Sequence, residues 1–170
     1  MSTICIHINV EDHVVKKTLE NTTNPYTLDI NKLPKVKFNY HAAPNKPLSG
    51  LDIALLQHRS DFVRTDVLEK LGGIYLDDDD VYVLRDLRAL SRLGFENIIG
   101  EQKYGKIWNA VIMATPQNKM MQAYQILQDV VFDGGWETAS VDLLTRLAQE
   151  FHDIPDQVMV MPQDAFFPLS

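Results

Sequence analysis

The sequence predicts an α/β layer fold, a largely parallel sheet flanked by helices, on three observations. Short apolar runs of strand length recur along it, among them Ile74-Tyr75-Leu76 and Val158-Met159-Val160-Met161. Stretches with apolar residues at helical spacing, such as Val63, Val67 and Leu71, fall between those runs. Strands alternating with helices of this length pack as layers. The 170 residues fit one domain, 1–170, large enough to bury a core, and no internal repeat, low-complexity tract or second domain is visible.

Taken in order, residues 3–10 are rich in β-branched side chains and read as a strand, followed by a helix over 11–20 with Val14, Val15 and Leu19 on its buried side. Residues 21–50 carry Pro25, Pro34, Pro44 and Pro47 and read as loop around one strand at 36–40. Ser60 predicts the cap of a helix that Gly72-Gly73 stops. A buried strand at 74–76 then delivers the chain into Asp77-Asp78-Asp79-Asp80, with a second strand expected at 81–84. Beyond it the pattern predicts helices over 86–93, 116–132 and 138–151 and strands over 97–101, 110–114 and 158–161.

Composition excludes several function classes. A net charge of -7 leaves no basic patch for nucleic acid or an anionic membrane. Cys5 is the single cysteine, which rules out an internal disulfide and a multi-cysteine zinc site. The apolar runs are far shorter than the ~20 residues of a membrane helix, and the N-terminus has no basic stretch leading into an apolar one. The chain as given therefore reads as cytoplasmic, with no membrane segment.

The acidic run carries the chemistry. Side chains alternate along an extended chain, so Asp77 with Asp79, or Asp78 with Asp80, point the same way and can converge on one cation. Two carboxylates, phosphate oxygens and water make a hard oxygen site suited to Mn²⁺ or Mg²⁺. Ligand sites in open α/β sheets gather at the carboxyl ends of strands, where this run sits. A solvated acidic loop is the plainer alternative, but four adjacent carboxylates repel one another unless a cation neutralises them. Asp61 and Arg64 stand three apart on one helical face, in reach of a shared ligand; on spacing alone they equally describe a surface ion pair.

The stretch His58 to Leu87, with its Ser-Asp-x-x-Arg, helix and Gly-Gly-x-Tyr-x-Asp-x-Asp, closely resembles the glycosyltransferase sugar-binding region containing a DXD motif, glycosyltransferase family 32 and the α-1,4-galactosyltransferases among its members. Weaker likeness continues through Asn109-Ala110-Val111-Ile112 to Phe166-Phe167-Pro168, so the resemblance covers about 50–168. It implies a GT-A type fold, Mn²⁺ held by the DXD aspartates, a UDP- or GDP-sugar donor and transfer with retention. It also implies that Asp61 and Arg64 contact the donor sugar, that Tyr75 packs beside the motif, and that Asn109 either contacts ligand or makes a structural hydrogen bond. Counting from Gly72-Gly73 selects Asp77 and Asp79 as metal ligands; counting back from Val81 selects Asp78 and Asp80. The first register is favoured because the Gly-Gly turn sets where the strand begins. The resemblance also implies a further His or Trp element downstream, so a C-terminally incomplete domain is expected.

The resulting expectation is a metal-dependent hexosyltransferase acting on a glycan, lipid or protein hydroxyl, with a catalytically inactive sugar-nucleotide-binding remnant as the alternative. A metal-dependent phosphohydrolase needs further carboxylate or His ligands that the stretch after Asp80 lacks. Eukaryotic relatives of this type work in the Golgi lumen behind a membrane anchor. His7, His13, His41, His58 and His152 show no metal-ligand spacing and none is assigned as a general base. Trp108 and Trp136 are assigned to packing, although either ring can stack on a base or sugar.

Overall fold

A computed structural model describes residues 4–9, 17, 21, 23, 32–41, 46–77, 81 and 83–167. The chain folds as two compact units, Met1–Pro44 and Asn45–Ser170.

In the first unit, β1 (Ile4–Asn9) and β2 (Val36–His41) pair in parallel, with Ile4 opposite Val36. Both strands are where the sequence places them. The helix expected over 11–20 lies outside the described residues except at Lys17. His7 Nδ1 lies 2.7 Å from His41 Nε2 across the pair.

The second unit is a sheet flanked by helices. Its strands are β3 (Gly73–Leu76), β4 (Asn97–Glu101), β5 (Ile107–Ala114) and β6 (Val158–Met161), in the order β3-β5-β4-β6. The largely parallel sheet expected from the alternation of elements is corrected here: β3 and β4 both run antiparallel to β5, while β6 joins β4 in parallel. The connection between β4 and β5 is a tight turn in which the Gln102 amide donates to the Lys106 carbonyl at 2.7 Å, and a parallel pair needs a far longer crossover.

Helices α1 (Leu56–Leu71), α2 (Lys119–Val131) and α3 (Leu143–Phe151) pack together, α1 and α3 also meeting the strands, and a short α4 (Gln163–Phe166) follows β6. Helix α1 starts ahead of Ser60, whose hydroxyl donates to the Gln57 carbonyl at 2.7 Å instead of capping. It stops where expected, at Gly72, which adopts φ 61°. A Cβ there would lie 2.6 Å from the Pro116 nitrogen, so the turn into β3 requires glycine. The N-cap of α2 is Asn118, whose Oδ1 accepts from the Met121 amide at 2.9 Å.

Two other expectations change. No strand forms at the described residues of 81–84, and Leu84 is 88% exposed, because strand propensity without a partner strand is not enough to fix a strand. The stretch at 138–151 opens as a π-turn over Thr138–Asp142 before α3 begins. Residues 86–93 hold a tighter 3₁₀ turn over Leu87–Arg92, capped by Asp86, which accepts from the Arg88 amide at 3.0 Å.

Ile99, Ile112, Met120, Met121, Tyr124 and Leu144 are fully buried together at the centre of the unit, and burial of each such side chain contributes roughly 1.5–3 kcal/mol. A second cluster of Ile53, Phe62, Phe132 and Ala139 lies beside it.

Candidate functional site

The turn at Gly72 sets the geometry of the site. From Arg64 to the end of α1 the chain climbs roughly 10 Å at helical rise, and from Gly73 to Asp77 it returns roughly 13 Å at strand rise. The two lengths nearly match, so Arg64 and Asp77 come side by side. Asp77 continues the line of β3, its amide donating to the Ala110 carbonyl at 3.0 Å.

Arg64 then bridges two carboxylates. Its Nη1 donates to Asp61 Oδ1 at 2.7 Å and its Nη2 to Asp77 Oδ1 at 2.9 Å, while the guanidinium lies 4.6 Å above the centre of the Tyr75 ring. The Tyr75 hydroxyl donates to Asp77 Oδ1 at 2.8 Å, and Asn109 Nδ2 donates to Asp61 Oδ1 at 2.9 Å. Every one of these contacts uses Oδ1. The Oδ2 atoms of Asp61 and Asp77 take no hydrogen bond from any described residue.

Burial is what separates this arrangement from an ordinary surface pair. The side chain of Arg64 is 4% exposed, that of Asp61 15% and that of Asp77 24%. A buried charge persists only when it is paired and hydrogen-bonded. Burial opposes the charge on Arg64, yet Tyr75, Asp61 and Asp77 outweigh it and hold the guanidinium protonated. Burial pushes the Asp61 carboxyl up from its ordinary value, more than Arg64 and His58 pull it down, and the Asp77 charge adds to the rise. Burial likewise pushes the Tyr75 phenol up to about 12, with Arg64 opposing and Asp77 reinforcing. Two carboxylates thus share one guanidinium, and each keeps an Oδ2 that no described residue occupies.

The site residues named from the sequence fall into two groups. Asp61, Arg64, Asn109 and Asp77 are drawn together here. Asp79, and the alternative pair Asp78 and Asp80, lie outside the described residues. Among the described residues no group of three His, Cys, Asp or Glu stands ready to hold a metal. Asp77, with its side chain 24% exposed and an Oδ2 that takes no hydrogen bond from any described residue, offers one hard carboxylate oxygen of the kind a divalent cation accepts.

Tyr75, read from the sequence as packing, contributes its hydroxyl to the network as well as its ring. The signal was present: it stands two residues before Asp77 on an extended chain, hence on the same face. His58, which its spacing in the sequence assigns to neither a metal nor a general base, also lies beside the cluster. It is buried, stands one helical turn before Asp61, and sets its ring edge-on to Phe132 at 5.2 Å. Behind Arg64, the Thr65 hydroxyl donates to Gln128 Oε1 at 2.7 Å, and the buried Tyr124 hydroxyl donates to the Ser140 carbonyl at 3.1 Å, tying α1 and the π-turn to α2. These links between distant elements have no local sequence signature.

An uncharacterized protein of Arabidopsis thaliana is 31% identical over 121 residues, which cover 66% of this chain and 18% of that protein. The chain thus spans less than one-fifth of that relative's length. No solved structure matches the chain. The family model described as "Glycosyltransferase sugar-binding region containing DXD motif" matches residues 3–104, more than half of the sequence. That family is a glycosyltransferase region, generally dependent on a divalent metal. With the Ser-Asp-x-x-Arg helix folded against the strand that leads into the acidic run, the chain belongs to the family of glycosyltransferase sugar-binding regions containing a DXD motif.

Proposed function

We propose that this chain is a single GT-A type hexosyltransferase domain, allied to glycosyltransferase family 32, that takes a hexose from a UDP- or GDP-sugar to a hydroxyl of a glycan, lipid or protein with retention of configuration. The observation that supports the reading best is the sharing of Arg64 between Asp61 and Asp77 through Oδ1 alone. Each carboxylate is locked in orientation and keeps Oδ2 for a ligand. Asp61 Oδ2 is suited to accept a sugar hydroxyl, and Asp77 Oδ2 to face a cation.

In this reading Asp77 and Asp79 hold Mn²⁺ or Mg²⁺, with Asp78 and Asp80 as the other register. Held there, such an ion would supply Lewis-acid stabilisation for the leaving nucleoside diphosphate. The protein's own side chains position the sugar. Arg64 orients both carboxylates, Asn109 holds Asp61, and Tyr75 holds Asp77 against rotation. Asn109 thereby acts through Asp61, as a positioning residue.

A donor screen tests the proposal. The protein is incubated with Mn²⁺ and a panel of UDP- and GDP-sugars, and free nucleoside diphosphate is measured. Release from one donor, stimulated by an acceptor hydroxyl, supports it. Tight binding of a donor without release would identify a non-catalytic sugar-nucleotide-binding domain.

A further inference from the structure

A recess opens beside Asp61, between α1, α2 and the bend at Gly135–Ser140, lined by His58, Asp61, Phe62, Gln128, Phe132 and Trp136 together with the small residues of the bend. Two of its polar side chains are more than nine-tenths buried: His58 is 5% exposed and Gln128 is 0%. His58 Nε2 and Gln128 Nε2 have no hydrogen-bond partner among the described residues. Gln128 Oε1 is taken by Thr65, so the amide is anchored with its nitrogen left over. Buried polar groups are nearly always satisfied, and two orphans on residues lining one recess with Asp61, whose Oδ2 takes no hydrogen bond from any described residue, call for a common partner. A hydroxyl suits this set, because it donates to a carboxylate and accepts from ring or amide N–H at once.

The recess is at present too narrow to admit a water molecule. Trp136, 64% exposed and 6.2 Å from the His58 ring, stands at its edge. Gly134, at φ 80°, and Gly135 precede it. The bend is held by hydrogen bonds exposed to solvent, Asp133 accepting from the Gly135 amide at 2.7 Å and from the Thr138 hydroxyl at 3.1 Å. Such bonds exchange readily with water, and the glycines supply the backbone freedom to swing the ring.

We propose that His58, Gln128 and Asp61 form a subsite for one hydroxyl of the donor hexose, and that Trp136 is its hinged cover, displaced by the sugar and then stacked on the ring. This rests on the donor-site reading above and adds to it the residues that discriminate among hexoses. A site built to hydrogen-bond a hydroxyl rejects a sugar that presents none at that position, because its buried groups are then left unpaired.

The test uses Trp108→Phe protein, in which Trp136 is the remaining tryptophan, with Mn²⁺ and UDP-glucose, UDP-galactose or GDP-mannose, each compared with the bare diphosphate. Trp136 emission is expected to change with at least one sugar nucleotide and not with UDP or GDP. His58→Phe is expected to weaken binding of that sugar nucleotide about tenfold while bare diphosphate affinity stays within about twofold. Trp136→Ala, at an exposed position that does not threaten folding, is expected to weaken the sugar nucleotide alone. Equal responses to sugar nucleotide and bare diphosphate, with Mn²⁺-dependent diphosphate binding intact, would overturn the recess and leave the donor site standing. If no nucleotide binds in a Mn²⁺-dependent manner, both fall together.

Discussion

Arg64 and Asp77, thirteen residues apart on either side of a glycine turn, are joined at 2.9 Å, and the same guanidinium holds Asp61 at 2.7 Å. One buried cation therefore fixes two carboxylates that arrive from a helix and from a strand. The donor-site proposal and most of its tests depend on that junction.

Removing the cation is expected to cost both stability and sugar recognition. Arg64→Ala leaves two largely buried carboxylates facing each other, a loss of about 3 kcal/mol in denaturant unfolding, since breaking a buried pair from one side exceeds what the pair itself contributes. Arg64→Lys, a point charge without the planar fork, is expected to recover only part of it. Binding of a sugar nucleotide should fall further than binding of the bare diphosphate. Equal losses would move Arg64 to the phosphates or to a purely structural role.

The Asp61 carboxyl gives the pH signature. Its folded value is raised, chiefly by burial, so the folded state holds the proton more firmly than the unfolded chain, where the group titrates as an ordinary aspartate. Below that ordinary value the group is protonated in both states and the native state keeps this contribution in full. As pH rises through the raised value, the contribution is lost. Unfolding free energies of wild type and Asp61→Asn, compared from acid to neutral pH, should therefore diverge in favour of the variant. A difference that is flat with pH would contradict the assignment.

Gly72→Ala tests the turn that brings Arg64 to Asp77. The position has φ 61°, and a Cβ would meet Pro116 N at 2.6 Å and the Ala114 carbonyl at 2.8 Å. A destabilisation of more than about 1 kcal/mol is expected in thermal or denaturant unfolding, the opposite of the gain that Gly→Ala brings at an unstrained position.

Much of this was legible in the sequence because the decisive signals are local. Apolar spacing located α1, Gly72-Gly73 marked its end, and the acidic run follows β3 directly. The sheet direction was not legible, because strands alternating with helices suggest crossovers, whereas the tight turn at 102–106 makes β4 and β5 a hairpin. Ser60 misled for a related reason: a good capping side chain serves equally well inside a helix when its hydroxyl bonds back to Gln57. In the candidate site, the Asp61 and Arg64 spacing fits a surface pair or a buried clamp, and only the approach of β3 and β5 decides between them. His58 and Gln128 lie seventy positions apart, with no periodicity to connect them.

The register of the acidic run has its own outcome. With Asp77 and Asp79 facing the cation, Asp79→Asn is expected to abolish metal-dependent donor binding. Asp78→Asn and Asp80→Asn should be mild, or stabilise the protein slightly by removing a repelling neighbour. The reverse pattern would show that Val81 sets the register.

Calorimetric titration of UDP and GDP into the protein, once with Mn²⁺ and once with EDTA, tests the central claim most directly. Phosphate oxygens complete the coordination of a cation that carboxylates alone hold weakly, so nucleotide and metal are expected to strengthen each other's binding severalfold or more. Nucleotide affinity that is identical with Mn²⁺ and with EDTA would contradict the metal-bridged donor site.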